Sequence, residues 1–353
     1  MTSDKSEKII TFRNILNYSL SFILAGIFLY IAFHDVHFED VLEIASNANP
    51  FWMLIFILLF YLGHIIRAYR WKFILHSVKP DTKFSHLFGS LMIGYGVNCI
   101  TPKLGEVTRA VLFGKWEGLS RSSMFGTIIL ERIIDIIALA FSVLVAIVIS
   151  TENIRESFPW LLTTVYISGA LIIIFILFLY FILKFEEKFS RWIIQLLNRF
   201  SHSLADKVAY IFSMLTQGFF SLKGRKNYYI TFMLSALIII VYAFTSYIGL
   251  IMLNMQLIQP VTFKMGWVLM SISSIGVIIP TPGSTGSYHT LAKSTLVLLY
   301  GFGETVSAAY AFLTHIISYI LFILTSVIIY FLFYKKKNIV ANTDISKSQV
   351  EEL

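Results

Sequence analysis

The pattern Gly96-Val97-Asn98-Cys99-Ile100-Thr101-Pro102 occurs a second time in this chain, as Gly276-Val277-Ile278-Ile279-Pro280-Thr281-Pro282. In both copies Gly-Val is followed by Thr-Pro at the same offset. Glycines come soon after, as Gly105 in the first copy and as Gly283 and Gly286 in the second. Each copy interrupts an apolar run shorter than the ~20 residues that a membrane-spanning helix needs. Proline removes a backbone donor and glycine loosens a helix, so both copies predict a broken helix.

Broken helices are tolerated in a bilayer only where protein or a water-filled cavity satisfies the freed backbone groups. A pair of such segments, one in each half of a membrane protein, is typical of the binding site of a transporter. The two stretches therefore predict a polar site between two related halves of the chain.

Composition indicates a polytopic membrane protein. The 353 residues are 57% hydrophobic and 14% charged, whereas a soluble domain carries about 25% charged residues. The net charge is +8, but Lys and Arg concentrate in alternate loops. This distribution is typical of membrane topology rather than of a nucleic-acid-binding surface. Cys99 is the single cysteine, which excludes an intramolecular disulfide.

Charge patterning predicts the topology. We expect six full spans. Arg67 and Arg70, which follow the second predicted span, mark a cytoplasmic loop by the positive-inside rule, and the basic loops together place both termini in the cytoplasm. The short runs 84–100 and 265–279 are predicted to be re-entrant, entering from opposite sides. An alternative for the second is that the apolar residues 291–299 extend it into a hairpin or a pair of full spans. The predicted spans cover residues 15–33, 51–66, 123–150, 160–184, 228–253 and 305–334.

The predicted fold is thus an all-α polytopic membrane protein with about six spans and two Gly/Pro-broken re-entrant segments in an inverted repeat. The halves cover about 15–150 and 160–334, after a cytoplasmic segment 1–14. Residues 184–227 show helical apolar periodicity with many basic residues, which predicts an amphipathic cytoplasmic segment on the inner leaflet or under the bundle. The polar tail 335–353 is expected to be cytoplasmic and largely without structure.

Three ionisable residues lie in the middle of the third predicted span, at Glu131, Arg132 and Asp135. Charges at that depth cost at least ~2.5 kcal/mol each and are functional candidates by default. Their spacing of three and four residues lets them share one flank of a helix. The alternative interpretation is an internal ion pair that holds helices together.

The segments after the two breaks carry further candidates. Gly105, Glu106 and Arg109 follow the first break, where a helix N-terminus and a guanidinium suit a phosphate group. His289 follows the second break and His315 lies in the last span, in a sequence context that echoes Arg132. Each of these residues also has a plain structural alternative, as a Glu/Arg pair or as hydrogen-bonded packing histidines.

Enzymatic motifs are weak. Ser284 or Ser287 with a nearby histidine allows an intramembrane protease, but backbone requirements explain the glycine-rich context better. The histidines and carboxylates of residues 34–40 have no metal-site spacing. No Walker A loop or dinucleotide fingerprint is present in the sequence, so we expect no enzyme activity, no cofactor and no metal.

At these residues the chain resembles the flippase-like family that is also called the lysylphosphatidylglycerol synthase transmembrane region, over roughly residues 15–334. The resemblance rests on three motifs, one for each break and one for the third span. They comprise Asn98, Thr101, Pro102, Gly105, Glu106 and Arg109, then Glu131, Arg132 and Asp135, then Pro282, Gly283 and Gly286.

The resemblance implies a bacterial or archaeal cytoplasmic-membrane protein. In the best-known members this region moves aminoacylated phospholipids between leaflets, and a soluble aminoacyl-transferring domain follows it. The chain stops at Leu353, so we expect no synthase activity here. His289 stands where an acidic residue is expected in many relatives, which leaves the headgroup preference open.

We therefore expect a flippase that translocates a phospholipid or lipid-linked headgroup. In this scheme Arg109 and Arg132 meet the lipid phosphate, whereas Glu106, Glu131 and Asp135 meet a cationic headgroup or couple protons. The expected partners are membrane lipids, anionic or aminoacylated, with no nucleic acid. Two alternatives remain open: a secondary transporter of a small polar solute, and a membrane-embedded transferase or partner subunit of a lipid-modifying enzyme.

Overall fold

The computed structural model describes residues 19–76, 78–150, 158–160 and 225–351, together with isolated positions between 163 and 202. Within these residues the regular structure is helical and no β-strand occurs. The described helices are α1 (Ser19–Phe33), α2 (Phe38–Ser46), α3 (Pro50–Ile74), α4 (Phe84–Ile100), α5 (Leu104–Glu117), α6 (Arg121–Ile149), α7 (Arg225–Met252), α8 (Phe263–Gly276), α9 (Ser287–Tyr300) and α10 (Glu304–Glu351).

Four of the described helices are long and apolar enough to cross a membrane. These stretches are Pro50–Ile74, Ser123–Ile149, Lys226–Met252 and Glu304–Phe333. A fifth candidate is the pair α1 and α2, which are bent by 81° relative to each other. The chain is therefore an all-helical membrane protein with multiple spans. The predicted fourth span 160–184 and the predicted amphipathic segment 184–227 lie almost entirely outside the described residues.

Three boundaries differ from the sequence-based expectation. Helix α2 forms inside the predicted loop between the first two spans, because its apolar face packs against α10. Helix α3 continues eight residues beyond the predicted end at Ile66, which brings Arg67 and Arg70 inside the helix rather than at a cytoplasmic exit. Helix α10 continues to Glu351, whereas the tail was expected to lack structure; residues 335–351 contain no proline or glycine to end the helix.

The first broken segment is a helical hairpin made of α4 and α5, here called hairpin 1. Helix α4 has 17 residues, about 25 Å, which is less than the ~30 Å hydrocarbon core. At the turn, the Asn98 side-chain oxygen accepts a hydrogen bond of 2.8 Å from the backbone N–H of Gly105. The two helices approach closely because a Cβ on Gly105 would collide with the carbonyl oxygen of Gly94.

The second broken segment is also a hairpin, made of α8 and α9 and here called hairpin 2. Each helix has 14 residues, about 21 Å, which is too short for a full span. Of the alternatives left open by the sequence, the structure has the hairpin. Its turn needs glycine, because Gly283 and Gly286 adopt φ of 55° and 86°. A Cβ on Gly276 would lie 2.8 Å from the carbonyl oxygen of Ser287.

In the described residues, each hairpin packs against one of the long helices. Helix α3 packs along α7; α4 of hairpin 1 packs against α10, and α8 of hairpin 2 packs against α6. The hairpin turns meet in the interior, where Gly283 lies against Cys99 and Tyr319. The Tyr319 hydroxyl on α10 donates a hydrogen bond to the carbonyl oxygen of Cys99.

The end of hairpin 1 away from its turn is held by a charged clamp on Glu117. Lys79 Nζ lies 2.7 Å from one carboxylate oxygen of Glu117, and His86 Nδ1 lies 2.6 Å from the other. Burial raises the pKa of the Glu117 carboxyl, but the hydrogen bonds from Lys79 and His86 outweigh burial and leave that pKa below its ordinary value. The clamp fixes α5 against the start of α4.

Replacing Gly105 by Ala should open hairpin 1, because the added methyl group has no space against the Gly94 carbonyl. We expect a loss of about 1–3 kcal/mol in the free energy of unfolding, as for other overpacked sites. Thermal unfolding in detergent measures this loss. Gly26→Ala is the matched control, since nothing lies within 4 Å of a Cβ at that position. Equal melting temperatures for the two variants would contradict the close approach.

Replacing Glu117 by Gln should lower the melting temperature at neutral pH, because the carboxylate ion pair with Lys79 is lost. A carboxyl group with a lowered pKa in the folded state stabilises the protein above its ordinary pKa, and this contribution disappears as the pH falls through the folded-state pKa. The difference between wild type and variant should therefore be complete at about pH 7 and narrow below about pH 4. Melting curves across that range measure it, and a pH-independent difference would contradict the clamp.

Candidate functional site

Seven charged side chains converge where α3, α5 and α6 meet, and we call this set the charge cluster. Each helix contributes a pair of charged residues spaced three or four positions apart, which places both members of that pair on one flank of the helix. Four guanidinium groups face three carboxylates, which leaves one excess positive charge. The members are Arg67 and Arg70 from α3, Glu106 and Arg109 from α5, and Glu131, Arg132 and Asp135 from α6.

The inner part of the charge cluster joins α3 to α6. Arg67 Nη1 donates to Asp135 at 2.6 Å and to Glu131 at 3.3 Å. Arg70 Nη2 donates to the same two carboxylates, at 2.6 Å and 3.2 Å. Arg70 is 1% exposed and Glu131 is 1% exposed, so these charges are removed from solvent and depend on one another.

Arg109 fixes α5 to the same inner part. Its Nη2 lies 2.7 Å from the second carboxylate oxygen of Glu131. Its guanidinium carbon lies 3.6 Å from the ring centroid of Trp71, a cation–π contact. The Trp71 indole N–H in turn donates to the hydroxyl of Thr127 on α6, at 3.2 Å. Arg109 is therefore buried and held by an aromatic ring on one face and by a carboxylate at its Nη2 atom.

The outer part of the charge cluster is the pair of Arg132 and Glu106. Arg132 Nη2 lies 2.5 Å from Glu106 Oε1, and the two side chains are 41% and 26% exposed. Asn98 at the turn of hairpin 1 donates to the other Glu106 oxygen, at 3.4 Å. An open pocket sits at this pair. It is lined by Leu91, Gly94, Tyr95, Asn98, Gly105, Glu106, Arg109 and Arg132.

The inner arginines retain unused hydrogen-bonding capacity. The Nε atoms of Arg67, Arg70 and Arg109 are buried, and the described part of the chain supplies no acceptor for them. Together with the excess positive charge, this makes the charge cluster an attractive environment for an anion. The accessible edge of that environment is the Arg132–Glu106 pair.

A pair of histidines lies where hairpin 2 meets α10. The rings of His289 and His315 are 4.5 Å apart, His289 Nδ1 accepts from the Gly286 backbone N–H at 3.1 Å, and His315 Nε2 lies 3.3 Å from the Thr285 hydroxyl. Helices α5 and α9 begin 183 positions apart, as do α6 and α10. At that offset Glu106 aligns with His289, and Arg132 with His315.

The structure thus divides the predicted site residues into two groups. Asn98, Gly105, Glu106, Arg109, Glu131, Arg132 and Asp135 meet at the charge cluster. Thr101 and Pro102 form the turn of hairpin 1, where the Thr101 hydroxyl donates to the carbonyl oxygen of Val97. Pro282, Gly283, Gly286, His289 and His315 lie together at hairpin 2.

Sequence reasoning missed Arg67 and Arg70. Both were read as basic residues that mark a cytoplasmic loop. The signal that would have found them is the helical spacing of α3, in which Phe60, Arg67 and Arg70 share the buried side and Ile74 follows one turn later. Arginines that continue the buried stripe of a helix point to buried carboxylates on a neighbour.

Comparison with known proteins identifies relatives of this chain. The profile of a family described as the lysylphosphatidylglycerol synthase TM region matches residues 18–326. A UPF0104 membrane protein of Methanothermobacter thermautotrophicus is 30% identical over 186 residues, which are 50% of this chain and 52% of the relative. A UPF0104 membrane protein of Methanocaldococcus jannaschii is 27% identical over 116 residues, 32% of this chain and 34% of the relative.

A third relative is a UPF0104 membrane protein of Pyrococcus horikoshii, 27% identical over 157 residues, which are 43% of this chain and 45% of the relative. The alignments span about half the length of these curated relatives or less. No solved structure matches. Because the family profile covers most of the chain, including both hairpins and the charge cluster, this protein belongs to the lysylphosphatidylglycerol synthase TM region family.

Proposed function

We propose that this protein moves the phosphate-bearing headgroup of a membrane lipid from one leaflet to the other through the charge cluster. The observation that carries the proposal is the partly exposed Arg132–Glu106 pair at the edge of an ionic network whose other members are mostly buried. A purely structural network has no need of an exposed edge, since exposed ion pairs contribute only about 0–1 kcal/mol to stability.

The surroundings of the pair favour an amphiphile over a soluble solute. Ile136 lies one turn along α6 from Arg132 and is 52% exposed, and Val107 next to Glu106 is 42% exposed. In a membrane protein such apolar residues face lipid tails. A lipid can therefore present its headgroup to the pair while its acyl chains remain in the hydrocarbon region.

The architecture supports alternating access to this site. We infer an inverted repeat with six spans, in which the hairpins enter from opposite sides and both termini are cytoplasmic, in the cytoplasmic membrane. The reciprocal packing of α4 on α10 and of α8 on α6 supports this repeat, as does the common offset of the helices that follow the two breaks. Binding sites at repeat interfaces near the bilayer midplane are typical of transporters.

Burial divides the roles within the charge cluster. Arg132 and Glu106 are the accessible residues, and we assign the contact with the lipid phosphate to Arg132. Arg109 is stacked on Trp71 and paired with Glu131. We therefore assign it a supporting role, as a fixed positive charge behind the accessible pair. Glu131 and Asp135 are two of the three carboxylates that were expected to meet a cationic headgroup. We assign a supporting role to these two as well, because both are paired with buried arginines.

The activity proposed is transport rather than catalysis. The partners are membrane lipids with an anionic or aminoacylated phosphate headgroup, and the arrangement of a positive site beside a lipid-facing surface supports this choice. A lipid-modifying enzyme that supplies or uses the translocated lipid is the protein partner that this activity would require.

Leaflet exchange in proteoliposomes tests the proposal, with headgroup-labelled phospholipids and a membrane-impermeant quencher. Arg132→Ala should slow exchange at least about tenfold, equivalent to about 1.4 kcal/mol, because the phosphate loses its accessible guanidinium. Lys115→Ala is the matched control, since Lys115 is an exposed cation on α5 outside the charge cluster.

Exchange by the wild type and by Lys115→Ala, together with slow exchange by Arg132→Ala, would support lipid translocation. Wild-type exchange rates in Arg132→Ala would contradict the role given to this residue. An absence of exchange for every headgroup, combined with uptake of a soluble solute, would replace the proposal with solute transport.

The division of roles predicts different stabilities for two arginine variants. Arg70→Met should lower the free energy of unfolding by about 3–5 kcal/mol, because it leaves buried carboxylates without compensation. Arg132→Met should lower it by about 1 kcal/mol or less, because its pair is partly exposed. Unfolding in detergent, monitored for both variants, checks this, and equal losses would contradict the assignment of Arg70 to the scaffold.

A further inference from the structure

Arg132, the accessible arginine of the charge cluster, is already paired with a carboxylate of the protein itself, that of Glu106. Arg132 Nη2 lies 2.5 Å from Glu106, whereas its next carboxylate, Asp135, is 3.9 Å away. Asp135 is itself occupied by two shorter bonds of 2.6 Å from Arg67 and Arg70. The position that a phosphate oxygen would take on Arg132 is therefore the one that Glu106 fills.

Glu106 differs from the other carboxylates of the charge cluster in how firmly it is held. Glu131 receives three arginines within 3.3 Å and is 1% exposed. In the part of the chain that the structure describes, Glu106 pairs with one arginine, and a quarter of its side chain is exposed. Displacing Glu106 breaks one accessible ion pair, whereas displacing Glu131 would dismantle the junction of three helices.

The Glu106 carboxylate would keep favourable interactions after leaving Arg132. It stands in the first turn of α5, where the helix dipole stabilises a negative charge. Its other carboxylate oxygen is already 3.4 Å from the Asn98 side-chain amide at the turn of hairpin 1. A carboxylate released by Arg132 thus keeps a donor and a favourable field, which lowers the free energy needed for its release.

We infer that Glu106 is a built-in competitor for the phosphate site on Arg132 and that a ligand phosphate binds by displacing the Glu106 carboxylate. Carboxylate and phosphate oxygens are matched acceptors for the same forked guanidinium donors, so they exclude each other there. The competition weakens binding of the phosphate group, which is what a site must do if it is to release its cargo. The inference rests on the proposed function only in taking a phosphate group as the ligand.

Binding measurements with purified protein in detergent test the inference without any transport step. The probe is dioctanoyl phosphatidylglycerol, titrated by calorimetry, with uncharged dioctanoylglycerol as the lipid control. Glu106→Gln should bind the phospholipid about two- to fivefold more tightly than wild type, since a partly exposed ion pair is worth at most roughly a factor of 5. Glu43→Gln is the matched control, because it removes an exposed carboxylate on α2 and should bind as the wild type does.

The double variant Glu106→Gln/Arg132→Ala separates competition from a general change in charge. If Glu106 competes for Arg132, the gain in affinity from Glu106→Gln disappears when Arg132 is replaced. Arg132→Ala and the double variant then bind the phospholipid equally weakly. A gain that survives in the double variant, or an unchanged or weaker affinity of Glu106→Gln, would overturn the inference. Arg132→Lys, which keeps the charge but loses the fork, replaces Arg132→Ala if that variant does not fold.

Inorganic phosphate in a parallel titration identifies the source of the phosphate group. A gain from Glu106→Gln with the phospholipid alone assigns the competition to a lipid headgroup, and a gain with both assigns it to phosphate from either source. No binding of either probe by any variant would overturn the inference. Competition at equilibrium without leaflet exchange in vesicles would overturn the proposed function and leave this inference standing.

Discussion

The pairing of buried guanidinium and carboxylate groups between α3, α5 and α6 is the interaction on which the rest of the structure depends. Asp135 and Glu131 lie deep in an apolar bundle, where a charge without a partner would cost several kcal/mol. Three arginines from two other helices compensate these charges. The three helices must therefore meet at this point, each rotated about its axis so that its charged side faces the others. The break at Thr101-Pro102 is what allows it, because only a chain that turns back inside the bundle can bring α5 to the same depth.

Rigid inner charges and a looser outer pair give the charge cluster two layers with different purposes. The inner layer is buried, its charges are paired with one another, and it sets a fixed positive potential. The outer layer, Arg132 with Glu106, is reachable from outside and is held by fewer bonds. The buried charges supply a fixed electrostatic field, and the outer pair can exchange partners. Such a site attracts an anion without any rearrangement of the helices around it.

Much of this arrangement follows from local sequence signals, and the remainder depends on tertiary contacts. Glycine, proline and the short apolar runs predicted both breaks, and the depth of Glu131 along its span predicted a buried charge. Arg67 was misread because the positive-inside rule treats a basic residue after an apolar run as a loop marker. Its partners are more than 60 positions away, and only the folded chain brings them together. The sequence predicted the turn of the second hairpin, but the length of its two helices, 14 residues each, became clear only from the structure.

The hydrogen bond from Tyr319 to the carbonyl of Cys99 has a consequence for how the molecule is assembled. The end of a helix leaves carbonyl groups without partners, and in a bilayer water does not satisfy them. At the first break one such group is satisfied by a side chain from the opposite half of the chain. The early half is therefore incomplete when it leaves the ribosome, and it becomes a finished membrane structure only after the last span has been inserted.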